Sequence, residues 1–170
     1  MKPLFLVGYM GCGKSTIGRK LARRLSVAFV DTDNRVEERE GATVSDIFRY
    51  EGEVRFREVE REVLEEVIRE GAAVVSTGGG LPIWRDNMQR MNQVGRTVYL
   101  KRSAENIASR LSPYGRQKRP RLRGLNDEEL VTFMREDMVA RERYYSEARH
   151  VLLCDGLTDE AILEAILSYE

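Results

Sequence analysis

The 170-residue chain balances 28 Lys plus Arg against 28 Asp plus Glu and is 42% hydrophobic and 33% charged, the composition of a soluble globular protein with enough apolar content for a core. Zero net charge gives no positive field to recruit a nucleic acid. No stretch approaches a membrane span, and the run Leu4 to Val7 is too short for a signal peptide, so a cytoplasmic protein with neither nucleic-acid nor membrane partner is expected.

In chain order, Leu4 to Val7 is a continuous apolar run closed by glycine, which predicts a strand buried on both faces. From Ser15 the pattern changes to Ile17, Leu21 and Leu25 among Arg and Lys, the stripe of an amphipathic helix. Val27 to Val30 reads as a second buried strand running into Asp31-Thr32-Asp33. Phe56, Val59, Val63 and Val67 then mark a long helix stopped by Gly71. Ala72 to Ser76 is a third strand, ending in Gly78-Gly79-Gly80, and Thr97 to Leu100 a fourth. Ser103 suits the cap of a helix through Leu111. Ser112 to Gly124 holds almost nothing apolar among its arginines and predicts a mobile basic loop. Val151 to Cys154 would be the fifth strand, followed by a helix from about Thr158 with Ile162, Leu163, Ile166 and Leu167 inward.

Strands alternating with helices predict an α/β fold with a five-stranded parallel sheet flanked by helices. No composition shift marks a boundary, so a single domain over residues 1–170 is expected, as a monomer. Cys12 and Cys154 lie far apart without metal-ligand spacing, which favours free thiols over a disulfide or a zinc site. The lone His150 and the lone Trp84 sit away from every motif and read as boundary and packing residues.

Gly8-Tyr9-Met10-Gly11-Cys12-Gly13-Lys14-Ser15 satisfies G-x-x-x-x-G-K-[ST] between a strand and an amphipathic helix, where a phosphate loop must sit. Its glycines let the backbone wrap an anion, and the helix N-terminus adds attraction for phosphate oxygens. Lys14 would reach the outer phosphates of ATP and Ser15 would offer its hydroxyl to Mg²⁺, with Gly11, Cys12, Gly13 and Thr16 completing the grip. There is no Asn-Lys-x-Asp run to read guanine and no Asp-x-x-Gly switch after a strand, so a GTPase is poorly supported.

In open α/β sheets the ligand crevice lies beyond the carboxyl ends of the strands, and three polar groups fall there. Asp31 and Asp33 face the same side if the chain stays extended, one free for a metal and the other for a substrate hydroxyl. The pair equally suits turn and capping aspartates. Gly78, Gly79 and Gly80 let a ligand lie against bare backbone, or form a flexible turn. Arg57, Arg110, Arg119 and Arg141 are candidate anion ligands among many solvated arginines.

Together, Gly8 to Thr16, Asp31-Thr32-Asp33, Gly52-Glu53-x-x-Phe56-Arg57-x-x-Glu60, Gly78-Gly79-Gly80, Arg119-Pro120 and Arg141-x-x-x-Tyr145 resemble the shikimate kinase family over nearly the whole chain. The resemblance implies a three-layer P-loop kinase fold with a lid at about 112–124. It also implies transfer of the ATP γ-phosphoryl group to the 3-hydroxyl of shikimate, a step of aromatic amino-acid biosynthesis. Lys14 then matches the catalytic lysine, Ser15 a Mg²⁺ ligand, and Asp31 a residue holding that ion through water. Asp33 matches the carboxylate on the substrate hydroxyls; Arg57, Gly79 and Arg141 match substrate-binding positions, and Arg110 and Arg119 match nucleotide-binding ones. Two positions depart from the family's pattern: Arg121 follows Arg119-Pro120 where leucine is usual, and Arg143 replaces a proline after Arg141. The first is expected to change lid charge and the second to loosen the helix that carries Arg141. Another small-molecule kinase, for gluconate or a nucleoside monophosphate, is the nearest rival, and a silent nucleotide-binding module a more distant one.

Overall fold

The structure, a computed structural model, describes residues 1–111 and 113–169; Ser112, the first residue of the expected lid, lies outside them. The first unit is β1 (Leu4–Val7), a glycine loop and α1 (Lys14–Leu25), followed by β2 (Ala28–Asp31) and α2 (Thr32–Glu40). Then come α3 (Val44–Glu51), α4 (Glu53–Glu70), β3 (Ala73–Ser76) and α5 (Asn87–Val94). The chain continues through β4 (Arg96–Lys101), α6 (Ala104–Arg110), α7 (Pro113–Gln117) and α8 (Asp127–Tyr145) to β5 (His150–Leu153) and α9 (Asp159–Leu167).

All five strands are parallel, in the order β2-β3-β1-β4-β5. Every residue of β1 and β3 is buried, as continuous apolar runs covered by helices on both faces require. The cover can be assigned from single contacts. A Cβ on Gly18 of α1 would strike Phe29 and touch Leu6, so α1 lies on the face of the sheet that carries Leu6. Tyr99, which pairs in register with Val7, packs on Tyr145 of α8 with ring centroids 5.2 Å apart, so α8 covers the opposite face.

Four expectations change. β2 is an edge strand, with only Val30 of its four residues buried, so it is not the doubly covered strand its apolar run implied. Asp31 and Asp33 are not on one extended segment, because helix α2 begins at Thr32. Asp31 is its cap, accepting from the Asp33 N–H at 3.0 Å and the Asn34 N–H at 3.2 Å. Helices α2, α3 and α5 were not anticipated. The first is mostly charged, and two fully buried residues, Thr32 and Val36, tie it down. Finally, the basic stretch is not all loop, since it contains α7 and a 3₁₀ turn at Pro120–Leu122 whose Leu122 is 1% exposed. Ser103 caps its helix as expected, and the last helix starts where expected with Thr158 as its cap, each accepting from the N–H three residues on. Both cysteines are free and buried.

Among the described residues no helix is long and apolar enough to cross a membrane. The sheet order places the carboxyl ends of β2, β3 and β1 side by side, so the glycine loop, Asp31 and the Gly78–Gly80 turn open onto one rim.

Candidate active site

A cleft of about 550 Å³ lies along that rim, lined from the loop by Met10, Gly11, Gly13, Lys14, Ser15 and Thr16, and from neighbouring strand ends by Asp31, Asp33, Ser76 and Gly79. Arg110 and Arg119 close it from the side. Gly13 caps α1 in a left-handed conformation, φ 98° and ψ 13°, which residues with a side chain rarely adopt. The first turn of α1 therefore opens into the cleft with N–H groups that have no intrahelical partner. Lys14 is 8% exposed and folds back over the loop, donating from Nζ to the Gly8 carbonyl at 2.8 Å and the Tyr9 carbonyl at 3.0 Å. The Cys12 side chain is 1% exposed, its Sγ accepting from Lys14 Nζ at 3.7 Å, and it does not line the cleft.

Three oxygens meet beside the loop. The Ser15 hydroxyl donates to Asp31 Oδ2 at 2.7 Å and lies 3.3 Å from the Ser76 hydroxyl. One carboxylate and two hydroxyls are hard donors of the kind Mg²⁺ takes when it keeps several waters and bridges to phosphates. Among the described residues no cluster of three or more His, Cys, Asp or Glu forms an all-protein metal cage. The residues therefore fit a magnesium ion that arrives with a nucleotide.

The second half of the site is built around Gly78, Gly79 and Gly80. A Cβ on Gly78 would fall 2.6 Å from Asp33 Oδ1 and 2.9 Å from Glu60 Oε2; on Gly79, 3.4 Å from an Arg141 nitrogen; on Gly80, inside the Arg57 guanidinium. The missing side chains thus make room for Asp33 and Glu60 at Gly78 and for Arg57 at Gly80, while Arg141 lies at ordinary contact distance from Gly79. The turn itself is held by the Gly78 N–H donating to Thr32 Oγ1 at 2.9 Å and by the Tyr145 hydroxyl donating to the Gly79 carbonyl at 2.5 Å. Arg57, Arg141 and Gly80 stand behind the cleft wall and do not line it as Gly78 and Gly79 do.

Burial decides the electrostatics of this half. Asp33 is pushed up to about 6 by loss of solvent and by the neighbouring Asp31, against the opposing pull of Lys14 and Arg57. Glu60, 1% exposed on α4, is pushed up to about 7 by burial although Arg57 Nη1 donates to its Oε1 at 2.8 Å. Its Oε2 has no partner among the described residues. The Arg57 guanidinium lies over the Phe56 ring, 5.2 Å from its centroid, and Arg141 over Tyr9 at 5.6 Å. Burial also pulls Arg119 below its usual value, and Asp33 is the carboxylate that opposes this.

The structure places most of the expected residues on the cleft lining and Arg57, Gly80 and Arg141 behind its wall, and several neighbours of these were not singled out. Glu60 sits in the Phe56-Arg57 motif, yet its pairing with Arg57 needed the turn of helix that puts positions i and i+3 on one face. Asp137 accepts from the Tyr9 hydroxyl at 2.6 Å and lies 3.7 Å from Arg141; nothing in its own neighbourhood of sequence marks it. Of the two departures, Arg121 lies over the Phe133 ring at 5.0 Å, and its Nη2 stands 3.5 Å from Asp137 Oδ1. Arg143 sits within the continuous helix Asp127–Tyr145, where it keeps a main-chain N–H that a proline would lack.

A family model described as shikimate kinase matches residues 10–169. A shikimate kinase of Bacteroides thetaiotaomicron is 41% identical over 165 residues, covering 97% of this chain and 94% of its own length. A crystal structure of a shikimate kinase from the same organism superposes with a TM-score of 0.89 at 39% identity, over 97% of this chain and 96% of that one. A shikimate kinase from Acinetobacter baumannii in complex with shikimate gives 0.87 at 34% identity, over 98% and 91%. With a glycine loop and helix N-terminus opening into the cleft beside two carboxyls and two arginines largely withdrawn from solvent, and with matches of this extent, the chain belongs to the shikimate kinase family.

Proposed function

We propose that the chain transfers the γ-phosphoryl group of ATP to the 3-hydroxyl of shikimate, giving shikimate 3-phosphate and ADP in aromatic amino-acid biosynthesis, with its roles divided between the two halves of the cleft. The observation that carries this is the Gly78–Gly80 turn, against which Asp33, Arg141 and Arg57 all pack, in the same cleft that the Lys14 loop lines.

Shikimate is a small ring with three hydroxyls and one carboxylate. Arg57 and Arg141 hold that carboxylate, since guanidinium groups present a fixed fork of donors, and Glu60 and Tyr145 keep the two arginines aimed. Asp33 faces a ring hydroxyl. A carboxylate titrating at about 6 is largely ionised at neutral pH and more basic than an ordinary aspartate, so it suits the acceptor of the hydroxyl proton. As the hydroxyl oxygen bonds to the γ-phosphorus and the bond to the ADP oxygen breaks, the proton passes to Asp33. Lys14 exchanges the Gly8 and Tyr9 carbonyls for the phosphates and follows the charge onto the leaving oxygen. Magnesium, held beside Ser15 and Asp31, would neutralise the phosphate oxygens. Arg119, on the segment that closes over the cleft, adds a further positive charge and helps exclude water. Arg110 flanks the nucleotide at Gly13.

An assay of ADP release with shikimate, gluconate and AMP as alternative acceptors tests this. Turnover with shikimate and background rates with the other two are expected. Efficient turnover with gluconate or AMP and none with shikimate would overturn the assignment.

A further inference from the structure

Arg102, the residue after β4, is 4% exposed and plays no part in the mechanism above. A buried charge is costly unless it is paired, yet among the described residues Arg102 forms no ion pair with a carboxylate. All its partners are neutral: Nε donates to the Cys12 carbonyl at 3.0 Å, and Nη1 to Asn106 Oδ1 at 3.0 Å and the Cys154 carbonyl at 3.4 Å. The strongest placed of these is inside the phosphate loop. The peptide group between Cys12 and Gly13 is a planar trans unit whose C=O and N–H point in opposite directions. A cation fixed on the Cys12 oxygen therefore sets the plane of that peptide. It also polarises the Gly13 N–H, because a hydrogen bond at one end of an amide strengthens the donor at the other. Gly13 lines the cleft, and among the described residues no main-chain carbonyl outside the helices and strands accepts its N–H.

We infer that Arg102 is a positioning residue for the nucleotide phosphates. It acts through the Cys12–Gly13 peptide, holding the Gly13 N–H toward the anion, while its own buried charge is offset when the polyphosphate arrives on the far side of the loop. Gly13 has no side chain to fix this plane and is in the left-handed region, so the loop needs an external clamp. Ties from Arg102 to Asn106 on α6 and to the end of β5 make the clamp rigid.

This rests on the reading of the loop as a nucleotide site, which ADP binding by the unaltered protein checks separately. Titrations of ADP and of shikimate, each alone, are compared between the wild type, Arg102→Met and Arg102→Lys. Arg102→Met removes the charge and the fork at similar length. It should weaken ADP binding and raise the KM for ATP by about tenfold or more, the scale of a lost hydrogen bond from a charged donor. Shikimate affinity without nucleotide should stay within about twofold, and kcat at saturating ATP should fall much less than the KM rises. Arg102→Lys keeps the charge and one donor and should recover part of the ADP affinity. If Arg102→Met does not fold, the lysine variant carries the test: a several-fold loss for ADP with none for shikimate supports the inference. ADP affinity unchanged in whichever variant folds, or ADP and shikimate affinities falling together, would overturn it.

Discussion

The two halves of the cleft are made differently. The nucleotide half is eight consecutive residues whose working parts are main-chain N–H groups, one lysine and one hydroxyl, carried on a glycine loop and the first turn of α1. The acceptor half draws Asp33 from α2, Arg57 and Glu60 from α4, the glycine turn from the end of β3 and Arg141 from α8. Its working parts are charged side chains, and several are nearly buried. A loop of peptide dipoles holds an anion at little electrostatic cost to the empty protein. The other half keeps two carboxyls and two guanidiniums largely out of water, and the raised values of Asp33 and Glu60 record that cost.

Asp33→Asn strikes the acceptor half hardest. Turnover should drop about 10²-fold or more, the scale of a lost proton acceptor, while ADP affinity by calorimetry stays near that of the wild type. Unchanged turnover would remove Asp33 from the chemistry and erase the contrast between the halves. Next in size is Gly80→Ala, whose methyl would occupy the space of the Arg57 guanidinium. It should raise the KM for shikimate by about tenfold or more, as displacement of one charged hydrogen-bonding group would, and leave the KM for ATP within twofold. Equal effects on both would mean that the glycine turn serves the whole cleft.

The smallest and most diagnostic effect is in pH. Asp33 titrates at about 6 in the folded protein against an ordinary 3.8, so kcat/KM should have an acid limb centred near pH 6, falling as the carboxylate takes up its proton. Stability runs the other way. A carboxyl raised by folding is easier to protonate in the folded chain, so its stabilising effect is complete below about pH 3.8 and is lost as pH rises through about 6. Asp33→Asn, neutral throughout, should therefore melt higher than the wild type at pH 8, by on the order of 2 kcal/mol, and nearly equal to it at pH 4. An Asn variant less stable at pH 8 would show that Asp33 is a stabilising charge and that the acceptor half carries no electrostatic cost.

Much of this was legible in the chain. The phosphate loop is contiguous, and its spacing, strand and helix are all local, so Gly11, Gly13, Lys14, Ser15 and Thr16 could be named before any tertiary contact was known. Asp33, Arg57, Gly79 and Arg141 could be picked out as candidate ligand groups, two of them by their place just past strand ends, but their individual roles came only from the resemblance to shikimate kinases, because each is unremarkable among its neighbours. Strands β1 and β3 announced themselves as apolar runs. The edge strand β2 looked alike, since a short run carries no mark of how many faces are covered. Helix α2 escaped notice because its start is set by a capping aspartate that also belongs to the site.

Sequence alone determined the class of fold and the nucleotide grip, because backbone conformation and anion binding by a glycine loop depend on residues adjacent in the chain. Tertiary structure decided the rest. It brought Asp137 to Tyr9, laid Arg102 against the Cys12 carbonyl and put the glycine turn against Asp33, Glu60, Arg141 and Arg57. These are contacts between segments far apart in the chain, and the burial that raises Asp33 and Glu60 exists only once the helices have closed around them.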